Sequence, residues 1–205
     1  MARNTKARGK TVRRLGVNIY GNSKYDRLLK KKPQRPGKER EFRDRSKLSD
    51  YGRQLIEKQK LRLTYALSER QFFNTFVKAK KLRGLTGDNM MILLERRLDN
   101  VVYRLGLATT RAQARQFVSH GHIRLNNKRV NVPSMVVRVG DSVQVKESES
   151  SRKLLRESLA HSNQIMPNWL SMDGDALTGS VERLPYMTDI QSIANERMVV
   201  EFYSK

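Results

Sequence analysis

The chain contains no cysteine among its 205 residues. This absence excludes disulfide bonds, thiolate metal sites and cysteine nucleophiles. No apolar run approaches the length of about 18 residues that a membrane-spanning helix requires. The first ten residues are charged and lack an apolar segment, so they do not predict a secretory signal. We therefore expect a protein of the cytosol or of an organelle interior of bacterial type.

Acidic residues are scarce relative to basic ones, with 20 Asp/Glu against 42 Lys/Arg and a formal net charge of +22. Such an excess destabilises a compact fold unless a polyanion neutralises it. Residues 1–50 carry 17 Lys/Arg and 5 Asp/Glu, and residues 51–146 carry 19 and 6, whereas residues 147–205 carry 6 and 9. This distribution indicates a nucleic-acid binder with a terminus suited to protein packing. An anionic membrane is the alternative, but no basic amphipathic helix supports it.

Residues 1–47 are predicted to form a basic N-terminal arm. They contain few large apolar side chains, so the segment cannot offset its ordering entropy alone. A disordered tail is one interpretation. We favour an arm that orders against RNA phosphates, because basic residues recur every two or three positions between Arg3 and Arg14.

Helical spacing begins after the arm and predicts a helix over about 49–66. Ser68 and Gln71 fit a capping box that opens a second helix. Phe72 and Phe76 of that helix could stack on bases, but their spacing favours the protein core.

Residues 94–146 carry the most specific pattern, which predicts two short helices and three short strands. The first helix starts at Thr86 or Asp88 and continues to about Leu105. Thr110 and Gln113 form a second capping box. Apolar residues then alternate on both sides of Asn126-Asn-Lys-Arg129, which predicts a hairpin. A helix over about 147–163 follows, and the remaining residues are turn-rich.

Arginines on the two predicted helices suggest a phosphate-binding surface. Arg111 and Arg115 lie one turn apart on one face, and Arg97 and Arg104 share a side of the preceding helix. Guanidinium groups can form paired hydrogen bonds with phosphate. The alternative is that Arg97 and Arg104 pair with carboxylates such as Glu95. For the cluster as a whole RNA is favoured, because carboxylates are too few to neutralise it.

Other chemistries find little support. His120 and His122 form a His-x-His pair without a nearby third ligand, so a metal site is disfavoured. The segment 84–87 lacks the Lys-Ser/Thr continuation of a phosphate-binding loop, and no Gly-x-Ser-x-Gly motif occurs. We therefore predict no catalytic residues, no cofactor and no metal.

Several segments together resemble the S-four family of bacterial-type small-subunit ribosomal proteins. Three of these segments lie within residues 94–146: Leu94-Glu-Arg-Arg-Leu-Asp-Asn-Val-Val-Tyr-Arg-Leu-Gly106, Thr110-Arg-Ala-Gln-Ala-Arg115 and Val118-Ser-His-Gly-His122. The flanks that match are Leu48-Ser-Asp-Tyr-Gly52, Glu57-Lys-Gln-Lys60, Pro167-x-Trp169-Leu170 and the ending Val200-Glu-Phe-Tyr-Ser-Lys205. Many members hold zinc with N-terminal cysteines. This chain resembles a form without that site.

The resemblance implies an α+β fold: a helical domain with an inserted small α/β RNA-binding module, two helices plus an antiparallel sheet, preceded by an extended basic N-terminal arm. The expected domains are the arm at 1–47, a helical domain at 48–93 completed by about 185–205, and an inserted domain at 94–184. The module itself is expected at about 94–157.

The resemblance also implies a structural protein, not an enzyme, that binds small-subunit rRNA early in assembly at a multi-helix junction. Expected partners are ribosomal protein S-five, other small-subunit proteins and messenger RNA, with no membrane, and the protein would be a cytoplasmic or organellar monomer within the ribosome. It would contribute to translational accuracy. Arg43, Arg45 and Lys47 are implied to line the tunnel through which messenger RNA enters. An RNA-modifying enzyme that uses the same module is the alternative, but neither end of the chain carries a substrate-pocket signature.

Contacts with rRNA are predicted for basic and polar residues of the arm, the helical segment and the module. These are Arg3, Arg8, Lys10, Arg13, Arg14, Lys30, Lys31, Lys32, Arg35, Lys58, Lys60, Arg62, Arg70, Lys81, Arg83, Arg97, Arg104, Thr110, Arg111, Arg115, Gln116, Ser119, His120, His122, Asn127 and Lys128.

Overall fold

The structure is a computed structural model that describes residues 7–37, 49–161 and 165–204. The chain divides into two compact units. The helical unit comprises Met1–Gly87 and Ser192–Lys205, and the sheet unit comprises Asp88–Gln191. The helical unit is thus built from two chain segments that flank the sheet unit. The boundaries predicted from the sequence were 93/94 and 184/185.

The described residues contain helices and one antiparallel sheet, which confirms the α+β class. The helices are α1 (Arg8–Leu15), α2 (Ser23–Lys31), α3 (Asp50–Thr64), α4 (Glu69–Lys80), α5 (Thr86–Glu95), α6 (Leu98–Arg104), α7 (Arg111–Ser119), α8 (Glu149–Ala160) and α9 (Glu196–Ser204), with a 3₁₀ turn at Met187–Asp189. The strands are β1 (Ile123–Leu125), β2 (Lys128–Arg129), β3 (Ser142–Val145), β4 (Leu170–Asp173) and β5 (Thr178–Val181).

Hydroxyl caps start four of these helices. Ser49, Ser68, Thr110 and Ser148 each accept a hydrogen bond from the backbone N–H three residues further on. Each bond satisfies one of the donors that the first turn of a helix leaves unpaired. The caps predicted at Ser68 and Thr110 are therefore confirmed, and with them the starts of α4 and α7.

The N-terminal arm is not extended over its described residues 7–37, because it forms α1 and α2. Val12, Leu15 and Ile19 lie on one side of α1 and the turn after it, and they pack with Leu63 of α3 in a small apolar core. The prediction of an extended arm is therefore wrong for residues 7–37, because it considered the apolar residues of the arm alone. The missing apolar partners come from a helix more than 40 residues away.

A single helix was predicted from about residue 86 to Leu105, but the structure breaks it into α5 and α6. Arg97 has an extended backbone at the break. The N–H of Leu98 donates to the carbonyl of Met135, and the N–H of Val137 donates to the carbonyl of Arg96. The loop before β3 thus supplies hydrogen bonds that compete with a continuous helix. Local spacing contains no sign of this distant partner.

The sheet has five strands in the order β2-β1-β3-β5-β4, all antiparallel. Three strands were predicted, and β4 and β5 lie in the tail that was read as turn-rich. The register pairs Ile123 with Val145 and Val143 with Gly179, which puts the apolar side chains on one face. That face, together with α6, α7, Leu155 and Trp169, forms the main core of the sheet unit.

The predicted hairpin is present, with a shorter turn than the sequence suggested. Asn126 and Asn127 both have positive φ, at 50° and 63°, as a two-residue hairpin turn requires. Lys128 and Arg129, expected in the turn, instead form β2. Val132, one of the apolar residues that follow the predicted turn, is exposed.

Aromatic residues of α4 and α9 organise the helical unit. Phe72 and Phe76 are buried, and the Phe76 ring lies 5.0 Å from the ring of Tyr203 in α9. Val199 of α9 is fully buried, and the ring of Phe202 lies 5.4 Å from that of Tyr51 in α3. The C-terminal apolar residues thus form a helix whose apolar face packs within this unit.

A polar contact supports the same packing. Glu69 accepts hydrogen bonds of 2.7 Å from Lys58 and from the hydroxyl of Tyr203. Burial raises the pKa of Glu69, but these hydrogen bonds and the charges of Lys58 and Arg62 outweigh it and hold the pKa below its usual value. Burial and the bond to Glu69 raise the pKa of Tyr203. Glu69 is therefore ionised and Tyr203 neutral at neutral pH, as this arrangement needs.

We predict that Phe76→Ala lowers the free energy of unfolding by about 3–5 kcal/mol, because it removes a buried ring and leaves a cavity. Denaturant unfolding of the full chain measures this effect. Phe73→Ala is the matched control, since Phe73 lies in the same helix and is 45% exposed, and its loss should be smaller. Equal losses for the two variants would contradict the assignment of Phe76 to the core.

Candidate RNA-binding surface

The first turn of α7 presents Arg111 with a fixed position. Thr110 caps the helix, while Gln113 bonds to the N–H and hydroxyl of Thr109 and so ties down the preceding residue. One of the two hydrogen bonds of the predicted capping box is present, from the N–H of Gln113 to the Thr110 hydroxyl. The Gln113 side chain accepts from the N–H of Thr109 and not from that of Thr110. Arg111 follows the cap directly. The positive end of the helix dipole lies at the same place and favours a bound anion.

The Arg111 side chain is held from α6. Its Nε donates a 2.8 Å hydrogen bond to Oδ1 of Asn100. Its guanidinium carbon lies 4.4 Å from the ring centre of Tyr103, a distance at which the ring face attracts a cation. Arg111 is therefore restrained by two different contacts with one helix.

Arg115 lies one turn further along α7 and is also contacted from α6. Its Nη1 lies 4.0 Å from Oδ2 of Asp99. Burial lowers the pKa of Arg115, the charge of Asp99 raises it and the charge of Arg97 lowers it. Arg115 remains cationic at neutral pH because a guanidinium titrates far above that range. Two positive side chains thus sit four residues apart on one helix, each next to an α6 residue.

A buried carboxylate network supports α6 itself. Glu95 is 1% exposed and accepts two hydrogen bonds from Arg104, of 3.0 and 2.8 Å, and one of 2.7 Å from the side chain of Asn100. Arg97 makes a similar paired contact with Asp99, at 3.0 and 2.8 Å. These ion pairs are the alternative that the sequence left open for Arg97 and Arg104.

The end of α7 adds polar groups. Gln116 and His120 are exposed and Ser119 is partly buried. Nδ1 of His122 lies 2.9 Å from the hydroxyl of Ser151. Burial lowers the pKa of His122, and the nearby charges of His120 and Lys146 lower it further. His122 is therefore neutral at pH 7.

The β1–β2 hairpin brings together arginines that the sequence reasoning missed. Arg124 and Arg129 are directly opposite each other in the register. The Arg129 side chain also packs against Gly121: a Cβ added to Gly121 would lie 2.7 Å from Nε of Arg129. Like charges placed opposite each other are unfavourable unless an anion neutralises them. Pairing the strands across a two-residue turn would have placed these arginines together, and the longer turn assumed from the sequence hid them.

Arg96 and Arg138 form a second basic pair that the sequence reasoning did not include. Nε of Arg96 donates to the carbonyl of Val137, next to Arg138. Burial lowers the pKa of Arg96 and the charge of Arg138 lowers it further, while Asp141 acts against both effects. Only the break between α5 and α6 brings these residues together.

Five predicted contact residues between α3 and α6 pair with acceptors within the protein. Arg97 and Arg104 make the ion pairs described above. The side chain of Lys58 is 8% exposed and lies beside Glu69, and Lys60 pairs with Glu57 at 2.6 Å. Arg62 donates hydrogen bonds to Gln59 and to a backbone carbonyl. A side chain as enclosed as that of Arg97, 7% exposed, has little surface for RNA. We assign these five residues to the folded structure and leave them out of the proposed surface.

The other predicted residues are accessible to different degrees. Exposed positions are Arg8, Lys10, Arg14, Lys30, Lys31, Lys32, Arg35, Arg70, Lys81, Arg83, Gln116, His120, Asn127 and Lys128. Partly buried positions are Arg13, Thr110, Arg111, Arg115, Ser119 and His122. Nε of Arg13 donates to the carbonyls of Lys32 and Gln34 and so closes the loop of the arm. Arg3, Arg43, Arg45 and Lys47 lie outside the described residues.

Within 7–37, 49–161 and 165–204, no group of three or more His, Cys, Asp or Glu side chains could hold a metal ion. In the same part of the chain, no helix combines the length and apolar character needed to cross a membrane.

Fold and surface together define an RNA-binding module, and comparison with known families agrees. Residues 96–143 match the model of the S4 domain, and residues 3–95 match the model of the ribosomal protein S4/S9 N-terminal domain. The chain is 50% identical over 207 residues to small ribosomal subunit protein uS4 of Borreliella burgdorferi strain ZS7, covering 100% of this chain and 99% of the relative.

Two further relatives agree with this match. The uS4 protein of Treponema denticola is 52% identical over 198 residues, covering 97% of this chain and 96% of the relative. That of Borrelia hermsii is 50% identical over 207 residues, again covering 100% of this chain and 99% of the relative. The chain belongs to the uS4 family of small ribosomal subunit proteins, whose members named here are ribosomal proteins and not enzymes.

We predict that Arg104→Met lowers the free energy of unfolding by about 3–5 kcal/mol, because it leaves the buried Glu95 carboxylate without its ion-pair partner. Thermal or denaturant unfolding checks this. Arg53→Ala is the control, since the Arg53–Asp50 pair is exposed and exposed pairs contribute about 0–1 kcal/mol. A loss for Arg104→Met no greater than that of the control would show that the buried pair is not required for stability.

Proposed function

We propose that the protein binds small-subunit ribosomal RNA through the surface formed by α7, which α6 supports, and by the β1–β2 hairpin. The observation that carries this proposal is the placement of Arg111 and Arg115, four residues apart on a capped helix and both contacted by α6. Guanidinium groups so placed can each form paired hydrogen bonds with a phosphate. The S4 domain match and the uS4 relatives support ribosomal RNA as the polyanion.

The unbalanced charge supports the same conclusion. Arg124 and Arg129 face each other on the hairpin, and Nη1 of Arg124 lies 3.6 Å from a carboxylate oxygen of Glu147. Such pairs are favourable when a phosphate backbone lies across them. Gln116, Asn127 and the other polar groups at the edge suit contacts with sugars and phosphates, so the surface recognises the shape of a folded RNA.

The basic arm provides a second set of phosphate contacts. Its exposed lysines and arginines lie on α1, on α2 and in the segment that follows α2. Arg14 and Lys30 are examples from the two helices. Contacts of this kind strengthen binding without reading sequence. The arm therefore adds affinity, while the module sets the position on the RNA.

The finer role follows from the family resemblance. We infer that the protein binds early in small-subunit assembly at a multi-helix junction, as one copy per ribosome in the cytoplasm or an organelle interior. It contacts ribosomal protein S-five and contributes to translational accuracy. Arg43, Arg45 and Lys47 line the path of the incoming messenger RNA.

We predict that Arg111→Ala with Arg115→Ala weakens binding to transcribed small-subunit rRNA and reduces its salt dependence. Each lost phosphate contact should lower the slope of log K against log salt by about one, because fewer counterions are released. Filter binding at several salt concentrations measures this slope.

The matched control is Arg152→Ala with Arg156→Ala. These arginines are also four residues apart and exposed, but they lie on α8 and are not among the proposed contact residues. The two double variants change the net charge equally. Equal slopes for the two would mean that only overall charge matters and that α7 is not the binding surface.

Crosslinking in intact ribosomes tests the finer role. A photoreactive residue in place of Arg45 should crosslink to messenger RNA, and one in place of Gln116 to small-subunit rRNA. The same groups in place of Lys153, an exposed residue of α8, provide a comparison. Absence of messenger crosslinks from position 45, with rRNA crosslinks retained at 116, would refute the messenger path and leave rRNA binding intact.

A further inference from the structure

We propose that Asn100 and Tyr103 are positioning residues for RNA binding: they hold the Arg111 guanidinium in its phosphate-binding position, and Glu95 holds Asn100. This inference rests on the proposed function, because it assigns Arg111 its partner class. It adds Asn100 and Tyr103, two buried residues without charge that the basic composition does not indicate.

Asn100 is oriented by bonds on both sides of its amide. Its Nδ2 donates to Oε2 of Glu95 at 2.7 Å and to the backbone carbonyl of Glu95 at 3.0 Å. Two acceptors on that side place the NH₂ group there, so Oδ1 must face Arg111. Asn100 is 2% exposed, and the amide therefore acts as a rigid acceptor for Nε of Arg111.

Tyr103 restrains the same guanidinium from another direction. The ring is 3% exposed, and its centre lies 4.4 Å from the guanidinium carbon. Attraction between the cation and the ring face holds the group beside Tyr103, while Asn100 accepts the hydrogen bond from its Nε. Two separate contacts thus restrain the guanidinium.

Restraint of this kind changes affinity. An arginine has many rotamers, and ordering such a side chain on binding costs affinity. A guanidinium already held in place loses less freedom when it meets a phosphate. Glu95 and Asn100 therefore connect the buried network to the surface, although neither reaches the RNA.

A double-mutant cycle on the full chain tests the proposal, with transcribed bacterial small-subunit rRNA as the probe. Asn100→Ala should weaken binding about two- to tenfold, because Arg111 must then be ordered on binding. Arg111→Ala should weaken binding about tenfold or more, because a charge-assisted contact is lost. If Asn100 acts through Arg111, Asn100→Ala has less than about a twofold effect in the Arg111→Ala background.

The salt slope separates positioning from charge. Asn100→Ala keeps every charge and should leave the slope unchanged, whereas Arg111→Ala should lower it by about one. An equal weakening by Asn100→Ala in both backgrounds would overturn the proposal and assign Asn100 to stability alone. Unfolding curves measured in parallel ensure that each variant is folded under the binding conditions.

Tyr103 provides a second test if Asn100→Ala does not fold. Tyr103→Leu removes the ring face and should weaken binding only when Arg111 is present. The conservative variant Tyr103→Phe keeps the face and should rescue the affinity. Failure of this rescue, or a loss that persists without Arg111, would contradict the proposal. If the wild-type chain did not prefer small-subunit over large-subunit rRNA, the proposed function itself would fail, which is a separate outcome.

Discussion

The buried carboxylate of Glu95 is the constraint on which the proposed RNA-binding surface depends. It neutralises Arg104 and orients Asn100, and Asn100 in turn holds Arg111. A carboxylate that is 1% exposed is stable only when its charge and lone pairs are satisfied. Loss of a partner would therefore destabilise the network. This requirement couples the packing of α6 to the geometry of α7.

The basic residues divide into two groups with different physical roles. Arginines with carboxylate partners, such as Arg97 and Arg104, join elements of the sheet unit and are enclosed. Arginines on α7 and on the hairpin are exposed or partly buried, and we propose that they bind phosphate. Charge that is unfavourable in isolation becomes favourable when a phosphate backbone releases its counterions. The amino-acid composition counts both groups in one net positive charge, and only the side-chain contacts in the structure distinguish them.

Much of the fold could be predicted where the signal is local. The caps at Ser68 and Thr110 were identified correctly, because capping involves residues three positions apart. The predicted burial of Phe72 and Phe76 also holds, since their spacing defines one face of a helix. The break at Arg97 was missed because its hydrogen-bond partners lie in a loop some 40 residues later. The strands β4 and β5 were missed because short segments rich in turn residues give little local pattern.

The sequence by itself determined the partner class, the capped helix with its arginines, and the motifs that resemble the family. These properties depend on composition and on neighbours within one or two turns. Only the tertiary structure decided which arginines reach the surface, that helices of the arm pack on α3, and that Asn100 and Tyr103 restrain Arg111. Those outcomes depend on contacts between elements, since whether a side chain is an ion-pair partner or a phosphate ligand is set by what folding places beside it.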